Sequence, residues 1–152
     1  MRSVLRLLMV VLDASVILGW CRQDDPHYKL AIRFYEAFAD GLLDIAVPSL
    51  FFFEAASAMA AWNWPIDSRD RILRDLLRMK LSVFRESRKL LRATMQVMDA
   101  YGLRMRDASY LALGLTKGWP VVTADRQAWR RARRIGTLHY LSDISDLRPY
   151  YG

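Results

Sequence analysis

RDASYLALGLTKGWPVVTADR, residues 106–126, carries a helix, its stop, a strand and the start of a second helix in one stretch. Residues 106–117 place small and apolar side chains at helical spacing. Gly118 closes the run, because glycine enters the left-handed conformation that ends helices without a steric penalty. A Gly-Trp-Pro turn follows. Val121, Val122 and Thr123 are β-branched and suit a buried strand. Asp125 ends that run, and 126–135 reads as another helix. Helices alternating with short apolar strands are the signature of an α/β protein with a mostly parallel sheet.

The same alternation extends outward. Residues 7–12 are wholly apolar and read as a buried strand. A short helix is expected over 14–20. Pro26 starts an amphipathic helix with Leu30, Ala31, Phe34, Tyr35 and Phe38 on one face, and Gly41 ends it. Residues 43–47 form a second strand. Pro48 and Ser49 are expected to cap a helix that carries Glu54 and runs to about Asn63. After Pro65, Asp67 or Ser68 is expected to cap a helix whose apolar positions are Ile72, Leu73, Leu76, Leu77 and Met79. Residues 81–84 suggest a third strand. Residues 87–101 read as a helix with Leu90, Leu91, Met95 and Met98 as its buried stripe, ended by Gly102, and 137–141 as a final strand. No linker, repeat or low-complexity segment interrupts the chain, so residues 1–152 are read as one domain.

At 152 residues with 53% hydrophobic content, the chain is long enough and apolar enough for a real core, which excludes a disordered protein. Lys and Arg number 23 against 16 Asp and Glu, a net charge of +7. Most of the basic residues are arginine, whose guanidinium forks onto phosphate with two parallel hydrogen bonds. Such a surface favours a polyanion such as nucleic acid, although it also serves plain solubility. Cys21 is the sole cysteine, so an internal disulfide and a cysteine-built zinc site are both excluded, in keeping with a reducing cytosol. His27 and His139 are far apart in sequence. Any metal must be held by oxygen. Arg2 and Arg6 before LLMVV resemble the start of a signal peptide, but Asp13 interrupts the apolar run and no cleavage site follows. No uncharged stretch reaches the ~18–20 residues of a spanning helix. The expectation is a cytoplasmic protein away from any membrane.

Four acids lie in unexpectedly apolar settings. Asp13 interrupts LLMVVLDASVILGWC, residues 7–21. Glu54 follows Phe51, Phe52 and Phe53. Asp107 opens DASYLALGL, and Asp125 closes VVTAD. An ionised carboxylate in such surroundings is costly unless something neutralises it. Each acid has a private explanation: Asp13 or Asp107 as a helix cap, Glu54 as the partner of a buried arginine, Asp125 as a turn residue or N-cap. The joint pattern says more. Parallel sheets bind ligands beyond the C-terminal ends of their strands. Asp13 and Asp125 fall just past strands, and Glu54 and Asp107 fall near helix starts that face the same edge. Mg²⁺ or Mn²⁺, which prefer hard oxygen ligands, would make such a cluster tolerable. With a basic surface around it, the natural chemistry is phosphodiester hydrolysis.

Three segments, VVLDASVIL, VPSLFFFEAASAM and YGLRMRDASYLALGLTKGWPVVTADRQAW, together resemble a PIN domain, and more narrowly the VapC-type toxin ribonucleases of toxin–antitoxin pairs. The resemblance runs from about Val4 to Leu141 and is most specific in the last segment. It implies a three-layer α/β/α sandwich and a Mg²⁺- or Mn²⁺-dependent endoribonuclease. Asp13, Glu54 and Asp107 match the acids that hold the principal metal in the family. Asp125 matches a fourth, associated with a second metal or with water positioning. Ser15 and Thr123 match polar positions that support these acids. Gln127 stands where many relatives carry another acid, which weakens the case for a tightly held second metal. Ser15 stands where many have asparagine.

Arginines gather over 69–92 and over 126–134. Of the second group, Arg126 and Arg130 are expected to guide an RNA backbone toward the metal, whereas Arg133 and Arg134 read as a solvated helix face. Phe51, Phe52, Phe53, Trp62 and Trp64 are too many to bury on one side of one helix. Some are expected to meet a second copy of the chain or an antitoxin segment, in line with relatives that dimerise and are inhibited by an antitoxin. Two other functions fit the same residues: an RNA-binding or assembly PIN domain with little activity, and a phosphatase-like enzyme with Asp13 as nucleophile.

Overall fold

The computed structural model describes residues 8–152. Leu7, the first residue of the expected opening strand, and the basic positions Arg2 and Arg6 lie outside them. Five strands form one sheet: β1 (Met9–Leu12), β2 (Asp44–Pro48), β3 (Ser82–Phe84), β4 (Val121–Thr123) and β5 (Leu138–Tyr140). Their order is β3-β2-β1-β4-β5, and every pairing is parallel. Val10, Val11 and Leu12 are fully buried because β1 lies at the centre, covered on both faces.

Seven helices complete the sandwich: α1 (Ala14–Trp20), α2 (Tyr28–Ala39), α3 (Phe51–Ala60), α4 (Ile66–Arg78), α5 (Arg88–Tyr101), α6 (Met105–Lys117) and α7 (Arg126–Ala132). α1 packs on α2 and α3, while α5 lies along α6, which crosses β1 and β2. The expected three-layer α/β/α architecture is therefore observed, with a sheet that is wholly rather than mostly parallel. The chain past β5 is tied back to the body. Arg33 donates to Ile144 O at 2.7 Å, and the Gly152 amide donates to Leu42 O at 3.0 Å.

Three local expectations are corrected. Ser49 does not cap α3: the strand continues through Pro48, the Ser49 amide bonds Phe84 O, and the helix starts at Phe51 without a side-chain cap. Neither Asp67 nor Ser68 caps α4, because the helix already begins at Ile66, directly after Pro65. On α5 the buried stripe is Leu90, Thr94 and Val97, whereas Leu91 and Met95 are exposed. Thr94 can be buried because its hydroxyl donates to Leu90 O at 2.8 Å, leaving its methyl to face the core.

Candidate metal centre

The strand order reverses between β1 and β4, and that crevice is where parallel sheets receive ligands. Asp13 lies at its edge. Its amide donates to Val122 O at 2.9 Å, which joins the end of β1 to β4. Its side chain caps α1, taking the Ser15 amide on Oδ2 at 3.1 Å. The Ser15 hydroxyl donates to the same oxygen and accepts from the Ala124 amide at 3.0 Å. The Thr123 hydroxyl approaches Oδ2 at 3.4 Å and accepts from the Asp125 amide at 3.0 Å. Every bond to the Asp13 carboxylate falls on Oδ2, so among the described residues no protein donor occupies Oδ1. The helix-cap explanation of Asp13 is thus correct and uses only half of the carboxylate.

Asp125 behaves alike. It caps α7 through Oδ1, which accepts from the Gln127 and Ala128 amides at 2.9 and 3.1 Å. Glu54 and Asp107 sit in the first turns of α3 and α6, each half-buried. All four acids line one pocket of about 460 Å³, together with Ser15, Arg106 and the apolar rim of Leu18, Leu50, Phe53 and Met105. Among the described residues none of the four forms a salt bridge. The private-arginine explanation of Glu54 is therefore not what the structure shows.

The electrostatics follow from that isolation. Burial raises the Asp13 pKa above the usual carboxylate range, against the pull of the Ser15 hydrogen bonds, and the charge of Asp125 adds to it. Glu54 is pushed up to about 7, first by burial and then by Asp13. Asp107 is pushed up to about 6 by burial, Asp13 and Asp125, with Arg106 and Arg104 opposing. Tyr110, buried on α6, faces Glu54 and favours its anion. Yet neither Tyr110 Oη nor Glu54 Oε1, both buried, completes a hydrogen bond among the described residues.

Among the described residues, no three Asp, Glu, His or Cys side chains are drawn close enough to form a ready-made ligand set. The acids instead ring an open pocket. This arrangement fits Mg²⁺, which keeps several waters and takes only one or two carboxylates directly. The buried, unpartnered Glu54 Oε1 and the mutually raised pKa values show a pocket that concentrates negative charge, which a bound cation would relieve.

Arg126 and Arg130 are exposed on α7 and line neither this pocket nor the one beside it. The arginines that do are Arg104, Arg106 and Arg131. Sequence reading singled out none of Arg104, Arg106 and Tyr110, and took Arg131 only as one of the basic cluster over 126–134. Arg106 precedes Asp107 and Tyr110 follows it by three positions, one helical turn, which was the available signal. Of the aromatic group, Phe51 is buried, Phe53 is 80% exposed at the pocket rim, and Trp62 and Trp64 pack on each other with centroids 5.1 Å apart.

A family model described as PIN domain matches residues 10–135. No curated protein matches the chain. Solved structures share the fold at low identity. A toxin–antitoxin complex from Klebsiella pneumoniae aligns with a TM-score of 0.66 at 14% identity, over 89% of this chain and 99% of that one. Mycobacterium tuberculosis VapC20, described as a sarcin–ricin loop cleaving toxin, aligns with a TM-score of 0.62 at 12% identity, over 81% and 95%. A protein from Pyrobaculum aerophilum aligns with a TM-score of 0.60 at 23% identity, over 89% and 92%. With the family model spanning most of its length and the sheet order and helices agreeing, this chain belongs to the PIN domain family.

Proposed function

We propose that this protein is a Mg²⁺- or Mn²⁺-dependent endoribonuclease, the toxin of a VapBC-type pair acting in the cytoplasm. One observation carries the reading: acids from four distant segments converge on one pocket and none is neutralised by a salt bridge among the described residues. Asp13, Glu54 and Asp107 would hold the cation, one or two of them directly and the rest through its waters, with Asp125 beside them. Bound there, the cation would supply Lewis acidity toward a phosphate oxygen and acidify a water. The chain's own part is positioning. Ser15 and Thr123 fix the Asp13 carboxylate through one oxygen and leave the other without a protein donor among the described residues. Tyr110 faces Glu54 from the core. Phe53 and Met105 form an apolar rim on which an unpaired base can stack, which favours single-stranded RNA.

The partners follow from the same reading. Structures of this fold include complexes described as toxin–antitoxin, which supports a cognate antitoxin. A homodimer is proposed as well, for which exposed Leu91 and Met95 offer apolar surface. The test compares wild type with Asp13→Asn on single-stranded RNA with Mg²⁺, Mn²⁺ or a chelator. Cleavage is expected to need the metal and to fall by more than about 100-fold in the variant, beyond the loss typical of a residue that only supports a ligand. Equal cleavage by the two proteins would overturn the proposal.

A further inference from the structure

Beside the acid pocket lies a second, smaller one of about 130 Å³. Arg104, Arg106, Gln127 and Arg131 surround it, and it shares Asp107 and Asp125 with its neighbour. Among the described residues none of the three guanidiniums is engaged in a salt bridge with a carboxylate. Arg131 is held in place: its Nη1 donates to Gly102 O at 2.8 Å, which ties α7 to the loop before α6. Gln127 and Arg131 are four residues apart and therefore share a face of α7. The Gln127 backbone is already bonded to Asp125, which fixes where its amide side chain starts. The lining thus sets three guanidiniums and an amide against the two shared carboxylates, and this excess of positive charge on the side away from the acids suits a compact anion with several acceptor oxygens.

We propose that Arg104, Arg106, Gln127 and Arg131 seat a phosphodiester of the RNA strand adjacent to the one held over the acids. This inference rests on the nuclease reading for its substrate. It assigns backbone binding to these arginines rather than to Arg126 and Arg130. Pocket and seat share Arg106, so consecutive phosphates of one strand can occupy both. The seat then sets the register in which the strand crosses the acids.

The test separates binding from cleavage. Full-length Asp13→Asn protein, its fold checked by circular dichroism, is titrated with a fluorescent single-stranded RNA over a range of KCl. Adding R104Q and R131Q is expected to flatten the slope of log affinity against log salt by about 1.4, two lost phosphate contacts at ~0.7 each. Because Arg131 also anchors a loop, R104Q alone is made too, with an expected change of about 0.7. R71Q with R74Q on exposed α4 removes the same charge away from the pocket and is expected to leave the slope unchanged. In wild type, a single neutral methylphosphonate next to the cleaved linkage is expected to raise KM, and R104Q is expected to erase that penalty. An unchanged slope in both seat variants, or an equal change in the α4 control, overturns the seat. If wild type cleaves no RNA while the slopes behave as expected, the nuclease reading fails and the seat stands. If it cleaves and the slopes do not move, the reverse holds.

Discussion

Tyr110 faces Glu54 without completing a hydrogen bond to it, so its contribution is expected in the electrostatics of the site rather than in stability. The Tyr110 hydroxyl is buried and unpartnered among the described residues, so Tyr110→Phe is expected to leave the melting temperature nearly unchanged. It also removes a group that favours the Glu54 anion, so the Glu54 pKa should rise further above about 7. Mn²⁺ affinity measured by calorimetry should drop about 10–100-fold, the usual effect of losing a group that supports a ligand; unchanged affinity would remove Tyr110 from the site. The three phenylalanines before Glu54 divide sharply. Phe51→Ala is expected to cost about 3–5 kcal/mol in chemical denaturation, because the ring is fully buried. Phe53→Ala should stay within about 0.5 kcal/mol, because its ring is exposed at the pocket rim. The acids were legible one by one, since a carboxylate in an apolar run stands out. Tyr110 was not, because an aromatic residue in an apolar helix looks like any other core residue.

α6 is the element that couples core packing to the site. It carries Asp107 and Tyr110, and it reaches the sheet closely only because position 114 has no side chain. A Cβ there would collide with Val121 Cγ2 and meet the Trp119 carbonyl at 2.9 Å. Gly114→Ala must displace the helix from β4, with an expected loss of about 1–3 kcal/mol. Because Asp107 rides on the same helix, Mn²⁺ affinity should weaken as well. Retained stability and affinity together would show that α6 can shift without moving its acid. At the end of the helix Gly118 has φ 72°, as the sequence led one to expect of a left-handed stop. α5 was harder to read. Leu90, Leu91, Met95 and Met98 make a plausible helical stripe, but Leu90 also begins another, with Thr94 and Val97, a fraction of a turn away. Hydrophobicity favoured the first, and packing against α6 selected the second, since a threonine that bonds its own helix can be buried at little cost.

For the whole molecule, the clustered acids are expected to make stability depend on pH and, if the site binds a cation as proposed, on metal as well. Asp13, Glu54 and Asp107 all have folded-state pKa values above their unfolded values. The metal-free folded protein therefore binds more protons than the unfolded chain between about pH 4 and 7, and its stability falls as pH rises through that window. A cation that binds only the folded state reverses the loss, by about 2.7 kcal/mol at 100 times its Kd. Thermal melts should show Mg²⁺ or Mn²⁺ raising the midpoint strongly at pH 7.5 and little at pH 5. Equal stabilisation at both pH values would mean that the cation binds elsewhere. Replacing Asp13 by Asn should raise the metal-free midpoint at neutral pH, since it removes a buried charge from the cluster, and should abolish most of the metal effect.

The succession of helices and strands and the four acids at strand ends and helix starts were determined by local pattern. Each depends on a few neighbouring residues, so each can be read from a short window of sequence. What only the tertiary structure decided is which groups meet. The sheet order sets β1 beside β4, and that brings Asp13 within reach of Thr123, 110 positions away. The fold of α7 against the loop after α5 turns Arg131 and Arg104 toward one pocket and leaves Arg126 and Arg130 facing outward. Charge along the chain records how many arginines there are; the side of the helix each occupies, and the element packed against it, determine which of them border the acids.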